Sequence, residues 1–329
     1  MEVDRSDFNR WHNKAKSNKT YSGKESKDFA LVKDGVTVWF HNTDFKTKIK
    51  LLVNPSRVLD LDDLTHLWKP KQKNVVTFLL KLDEHIKCYF NDEYEIEDFK
   101  LTRIDFTKNV YLGDAEKVSA YIKVLYNIRK VKGFSPKNWS HIPDFNEDHS
   151  FDLEGNSNGI EFTAYDKAAA IKKGMESNEY KRKKLKERLI KAKGILRLEV
   201  KLTTQKAIRK YTNEDNTVKR ILDLCGRSRE IFLETFVRVV PFGDLHKKDA
   251  AVKIIHENVT DSFLKRKMLA LLELIPKKKS LYLAIKELNN RNIDRILAEF
   301  YKHNLSPVTI SKRHNASHLK SLYTFFDPE

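Results

Sequence analysis

The sequence predicts an α+β fold: a mainly antiparallel sheet with helices packed on one face, followed by a smaller helical domain. Three observations carry this. The runs 101–107, 159–167 and 194–202 alternate apolar and polar residues with the period of a half-buried strand. Amphipathic segments interrupt them without a regular βαβ repeat. After about residue 203 the strand pattern stops and helical patterns take over. The expected division is a flexible segment 1–28, a sheet domain 29–205 and a helical domain 206–329.

Residues 1–28 are rich in Ser, Asn and Lys, and only Phe8 and Trp11 offer anchors for a short helix. From 29 to 40, apolar residues flank Lys33-Asp34-Gly35, which predicts a hairpin. A third strand is expected over 48–53, ending at Asn54-Pro55-Ser56. The segment 75–90 places Val76, Leu79, Leu80, Leu82, Ile86 and Phe90 near helical spacing. Asp114 is a suitable N-cap for a helix carrying Val118, Tyr121, Ile122, Leu125 and Ile128. Residues 132–158 read as a long connection with one short strand, and a connection of that length inside a domain often carries function. A charged helix is expected near 176–193. Further helices are expected near 204–211, 215–238, 246–256, 261–274, 280–289 and 292–303. The pair over 280–301 has the length of a helix–turn–helix, although a helical domain packed on itself is the simpler reading. His314 and His318 are spaced to hold a metal if the tail is helical, but no third ligand is evident and a solvated tail is expected.

Composition narrows the function. With 40% hydrophobic and 33% charged residues the chain is that of a globular protein with an ample core. No apolar run has the length of a membrane span, and no secretory signal pattern opens the chain. Its two cysteines, Cys88 and Cys225, lie far apart and point to a reducing, cytosolic setting without a disulfide framework. The net charge of +17 favours a polyanion partner, with nucleic acid first, because cationic side chains gain affinity by releasing phosphate counterions. Residues 168–193 alone carry ten Lys and Arg against three Glu. Such a run is ordinarily a solvated helix; beside an active face it would line a nucleic-acid path through Lys181, Arg182, Lys183 and Lys184.

The three strand-like runs carry the chemistry. One parity is apolar. The other reads Arg103, Asp105, Thr107; Glu161, Thr163, Tyr165; and Arg197, Glu199, Lys201. If these strands share a sheet, one face gathers carboxylates suited to a hard divalent cation, Mg²⁺ or Mn²⁺. Asp105 and Glu199 form the best pair and Glu161 a third ligand, while Arg103, Arg197 and Lys201 would hold phosphate. A plain ladder of cross-strand ion pairs is the competing reading. A tyrosine near a cation and a phosphate suggests nucleophilic attack. Tyr165, followed by Asp166 and Lys167, lies on the carboxylate parity, whereas Tyr180 lies among the basic residues. The residues leave the choice open.

These blocks carry a resemblance. Leu-Thr-Arg-Ile-Asp (101–105), Tyr-Asp-Lys (165–167) and Leu-Arg-Leu-Glu-Val (196–200), preceded by Val-Asn-Pro-Ser-Arg-Val-Leu (53–59), resemble the recurring blocks of phage and plasmid rolling-circle replication initiators. The similarity is to the filamentous-phage gene II/gene X-like class and its plasmid relatives, over about residues 45–205. The resemblance implies a HUH-nickase-like, palm-like sheet and a site-specific nickase. In that class a tyrosine becomes linked to the 5′ end at an origin and leaves a 3′-OH for a polymerase. It further implies a divalent metal held by Asp105 and Glu199, a role for Tyr165 and Lys167, and work in the cytoplasm of a bacterial host with its helicase and polymerase, with a homodimer as a further option. One departure stands out: none of the eleven histidines forms the His-hydrophobe-His pair that many rolling-circle enzymes use. Carboxylates would have to serve instead. The readings from other classes are a non-catalytic DNA-binding protein of the same fold and a water-using, Mg²⁺-dependent phosphodiesterase.

Overall fold

A computed structural model describes residues 1–18, 22–24, 27–33, 35–43, 45–61, 67–137, 149–173, 182–289 and 291–326. It is a mixed α and β protein with antiparallel sheets, as the sequence predicts. The chain forms two compact units, each discontinuous: 1–103 with 208–229, and 104–207 with 230–329. These limits are not those expected at 28/29 and 205/206.

The first unit holds a five-stranded antiparallel sheet. Its strands are β1 (Glu2–Val3), β2 (Ser22–Lys24), β3 (Lys27–Lys33), β4 (Val36–Asn42) and β5 (Thr47–Val53), in the order β1-β5-β4-β3-β2. The hairpin β3–β4 turns at Gly35, whose φ of +95° favours glycine. A Cβ there would also lie 2.6 Å from the Val58 amide nitrogen, so the turn tolerates no side chain.

Residues 5–17, expected to be flexible, form a helix. Asp4 caps it by accepting from the Asp7 amide at 2.8 Å, and Phe8, Trp11 and Ala15 are buried along one side. Phe8 meets Phe40 of β4 edge-on at 5.8 Å, and Trp11 meets Phe90 at 5.0 Å. Phe90 ends the long helix Gln72–Phe90, which buries Val75, Phe78, Leu79, Leu82 and Ile86. The helix Thr217–Gly226 belongs to this unit, and its Thr217 hydroxyl donates to the Phe99 carbonyl at 2.8 Å. Burial of a few well-spaced side chains therefore outweighs the polar composition of Arg5–Ser17.

The second unit holds a second five-stranded sheet. Its strands are β6 (Ile104–Tyr111), β7 (Phe134–Pro136), β8 (Ser150–Gly155), β9 (Ile160–Asp166) and β10 (Ile195–Leu202), in the order β6-β10-β9-β8-β7. The three predicted strands are its adjacent members, with β10 between β6 and β9. The connection expected over 132–158 supplies two strands rather than one; its residues 138–148 lie outside the described residues. Gly194 opens β10 with φ +77°, and a Cβ there would come within 2.5 Å of the Asp114 nitrogen.

Helices cover the apolar face. Asp114 caps Ala115–Tyr126 by accepting from the Glu116 amide at 2.9 Å, and the Tyr126 hydroxyl donates to the Ser150 carbonyl at 2.5 Å. Phe162 is fully buried, its ring 6.5 Å from Phe151 and 6.5 Å from Phe236 of the helix Ser228–Val239. Beyond it run Lys248–Asn258, Ser262–Lys278, Leu281–Leu288 and Ile293–Lys302, which turn Leu264, Met268, Leu271, Ile296 and Phe300 inward. The tail is not helical around His314. Instead two short strands pair, β11 (Leu245–His246) with β12 (His318–Leu319), so the spacing of His314 and His318 does not place them on one helix face. No helix among the described residues is long and apolar enough to cross a membrane.

Candidate active site

Opposed residues of an antiparallel pair project to the same face, so the register of the second sheet fixes which side chains meet. One rung holds Asn109, Arg197, Tyr165 and Ser150. The next holds Thr107, Glu199, Thr163 and Asp152, and the third Asp105, Lys201, Glu161 and Glu154. The parity expected from the sequence is therefore the arrangement of the sheet. Across these three rungs Asp105, Asp152, Glu154, Glu161 and Glu199 stand against Arg197 and Lys201, an acidic patch on a chain of net charge +17.

At the centre, the Tyr165 hydroxyl donates to Glu199 Oε1 at 2.6 Å. The other carboxylate oxygen, Oε2, lies 3.3 Å from Lys201 Nζ. Burial first, and the Glu199 charge second, push the Tyr165 phenol well above its ordinary range, while Arg197 pulls it down. Arg197 is itself buried, and its Nε donates to Asn109 Oδ1 at 2.9 Å. This differs from the expected open phosphate clamp: the guanidinium is built into the sheet beside the phenol. Glu161 pairs with Lys137, whose Nζ lies 2.9 Å from Oε2. The face is thus closed at the Arg197 rung and opens toward Asp105, which is exposed.

The remaining predicted residues fall elsewhere. Arg103 is exposed and lies one residue before β6, outside the ladder, because pairing begins at Ile104 with Leu202. Lys167 opens the helix Lys167–Lys173. Asp166 caps that helix, accepting from the amides of Ala168 at 2.8 Å and Ala169 at 3.3 Å. The Tyr-Asp-Lys block therefore joins a strand end, a cap and a helix start in three residues. Tyr180 and Lys181 lie outside the described residues, and Arg182, Lys183 and Lys184 lie in the helix Arg182–Ala192.

Asn109, Lys137 and the β8 residues Ser150, Asp152 and Glu154 are the members that the sequence pattern does not single out. Asn109 is within its reach, since it continues the parity of Asp105 and Thr107 by two residues. Lys137 carries no period to reveal it.

The donor set on this face is oxygen throughout: the Asp105 and Glu199 carboxylates, with the Thr107 and Thr163 hydroxyls on the Glu199 rung. That chemistry fits a hard divalent cation. Among the described residues, Asp105, Glu161 and Glu199 do not bring their ligand atoms within 4.8 Å of one another; the group that does so is Asp244, His246 and His318.

No curated protein and no solved structure matches the chain. A family model does, described as the N-terminal part of the replication-associated gene II protein, over residues 13–219. The match includes all four strands of the polar face and reaches from the first helix into Thr217–Gly226. With more than half of its length matched, the chain belongs to this replication-associated family, the phage rolling-circle replication initiators of the gene II class.

Proposed function

We propose that the protein nicks one DNA strand at a replication origin, through attack of the Tyr165 hydroxyl on a phosphodiester. The observation that carries the proposal is the 2.6 Å hydrogen bond from Tyr165 to Glu199, on a face shared with Arg197, Lys201 and Asp105. A buried phenol attacks only if its proton is taken as the bond forms. Glu199 Oε1 is the acceptor at hand, and Arg197 is the cation that stabilises the emerging phenolate. The tyrosine oxygen bonds to phosphorus, the P–O3′ bond breaks, and the 3′ oxygen leaves as a hydroxyl after taking a proton from Glu199 or solvent. The 5′ phosphate stays on the protein and the 3′-OH is free for a polymerase.

Asp105 and Glu199, with Glu161 one strand away, are the residues that would hold Mg²⁺ or Mn²⁺. An ion held there would supply positive charge against the scissile phosphate. Lys201 and Lys137 set the charge balance around these carboxylates, and the basic helix Arg182–Ala192 supplies sequence-independent phosphate contacts. The reaction belongs in the cytoplasm of a bacterial host.

The raised pKa of Tyr165 argues for testing the second tyrosine alongside it. Supercoiled origin DNA is incubated with wild type, Tyr165→Phe and Tyr180→Phe, and the products are scored for a protease-sensitive adduct at the 5′ end. Adduct lost only in Tyr165→Phe is the expected result. Loss only in Tyr180→Phe moves the nucleophile. Cleavage without adduct means water attacks, and binding without cleavage means a non-catalytic initiator.

A further inference from the structure

Asp244, His246 and His318 lie outside the matched family segment and outside the polar face, and nothing in the nicking reaction uses them. Each offers one ligand atom, and the three atoms lie within 4.8 Å of one another. His246 and His318 stand opposite one another across β11–β12, with ring centroids 4.7 Å apart. His318 Nε2 is 2.9 Å from Asp244 Oδ2.

The backbone beneath them is held on several sides. The Asp244 amide donates to the Asn304 carbonyl at 2.8 Å, and the Asp244 carbonyl accepts from the Ser306 amide at 2.9 Å. The His246 carbonyl accepts from the Ile310 amide at 2.9 Å. The second Asp244 oxygen, Oδ1, accepts from the Ser321 amide at 2.7 Å, which fixes the carboxylate as an outer-shell partner fixes a metal ligand.

We propose that Asp244, His246 and His318 bind one zinc-class ion that clasps the C-terminal segment onto the strand following the helix Ser228–Val239. Two imidazole nitrogens and one carboxylate oxygen form a borderline donor set. Such a set suits Zn²⁺ or Co²⁺ and is a poor match for Mg²⁺, which takes oxygen ligands. Three protein ligands leave a fourth position for water, and His318 is exposed enough for the ion to enter from solvent. The clasp is independent of the nicking proposal.

The full chain, stripped with a chelator and dialysed, is titrated with Zn²⁺ and with Co²⁺. Bound metal is measured by elemental analysis, the Co²⁺ visible bands report ligation, and thermal unfolding is followed with and without Zn²⁺. The expected result is one ion per chain and a rise in melting temperature on adding Zn²⁺. His246→Gln and His318→Gln should weaken binding by about 100-fold or more, the upper end of what losing even an outer-shell partner costs. Both should also lose the rise in melting temperature. Asp105→Asn and Glu199→Gln should bind Zn²⁺ as wild type does. The wild-type titration decides the matter even if a histidine variant fails to fold. Less than stoichiometric Zn²⁺, or Co²⁺ bands without nitrogen ligation, reduces the trio to a histidine–aspartate ion pair and overturns the proposal. Equal affinity in wild type and a folded His318→Gln does the same.

Discussion

Tyr165 sits between opposing influences: burial and Glu199 hold its proton on, and Arg197 works to release it. The sign of the resulting pH dependence follows. A phenol whose folded value is raised contributes fully below its unfolded value of about 10, and that contribution is lost as pH climbs toward the folded value. The stability difference between wild type and Tyr165→Phe should be flat from neutral pH to about 10, then turn against the wild type. Urea unfolding on both sides of that point checks it. Glu199→Gln tests the other partner. An amide can still accept the tyrosine hydrogen bond but cannot take its proton, so nicking should fall by about 100-fold or more while DNA binding persists, as measured by single-turnover cleavage and by filter binding. Parity alone places Tyr165, Glu199 and Glu161 on one face. It does not show that Arg197 is buried against Asn109, because a solvated arginine and a buried one have the same period in a sequence.

At the scale of the element, β10 is legible because it alternates over the seven residues 196–202, and β9 and β6 because they alternate over 160–165 and 104–107. The strand β8 also alternates, with Phe151 and Leu153 inward, but it lies beside a stretch rich in Asn, Asp and Ser that hides it. The helix Arg5–Ser17 shows only in part, through its anchors Phe8 and Trp11, because its buried stripe is just these two and Ala15 in a charged background. The ribbon β11–β12 is too short to have a period at all. Phe162→Ala tests the core under the polar face. It removes a fully buried ring between Phe151 and Phe236 and should cost about 3–5 kcal/mol in chemical denaturation. Asp166→Ala removes the cap of Lys167–Lys173 and should cost only about 1 kcal/mol in the same measurement. A larger loss of nicking than of stability in Asp166→Ala would mean that the cap also orients Tyr165.

For the whole molecule, a net charge of +17 makes DNA affinity a function of salt. Affinity should fall linearly on logarithmic axes as salt rises, with the same slope for Asp105→Asn, since a carboxylate releases no phosphate counterion. Fluorescence anisotropy over a salt series checks both statements. The discontinuous units have a consequence for how such a protein changes over generations. The chain leaves the first unit at 103, completes all five strands of the second sheet by 202, returns for 208–229 and leaves again. A genetic exchange with one junction near residue 205 would carry the polar face but leave behind Phe236, which covers its apolar side, and Thr217, which ties back to Phe99. No single continuous stretch of gene encodes either unit, so recombination among mobile elements should preserve this protein entire or break it. Its specificity would then have to drift by substitution, residue by residue, and not by the swapping of modules.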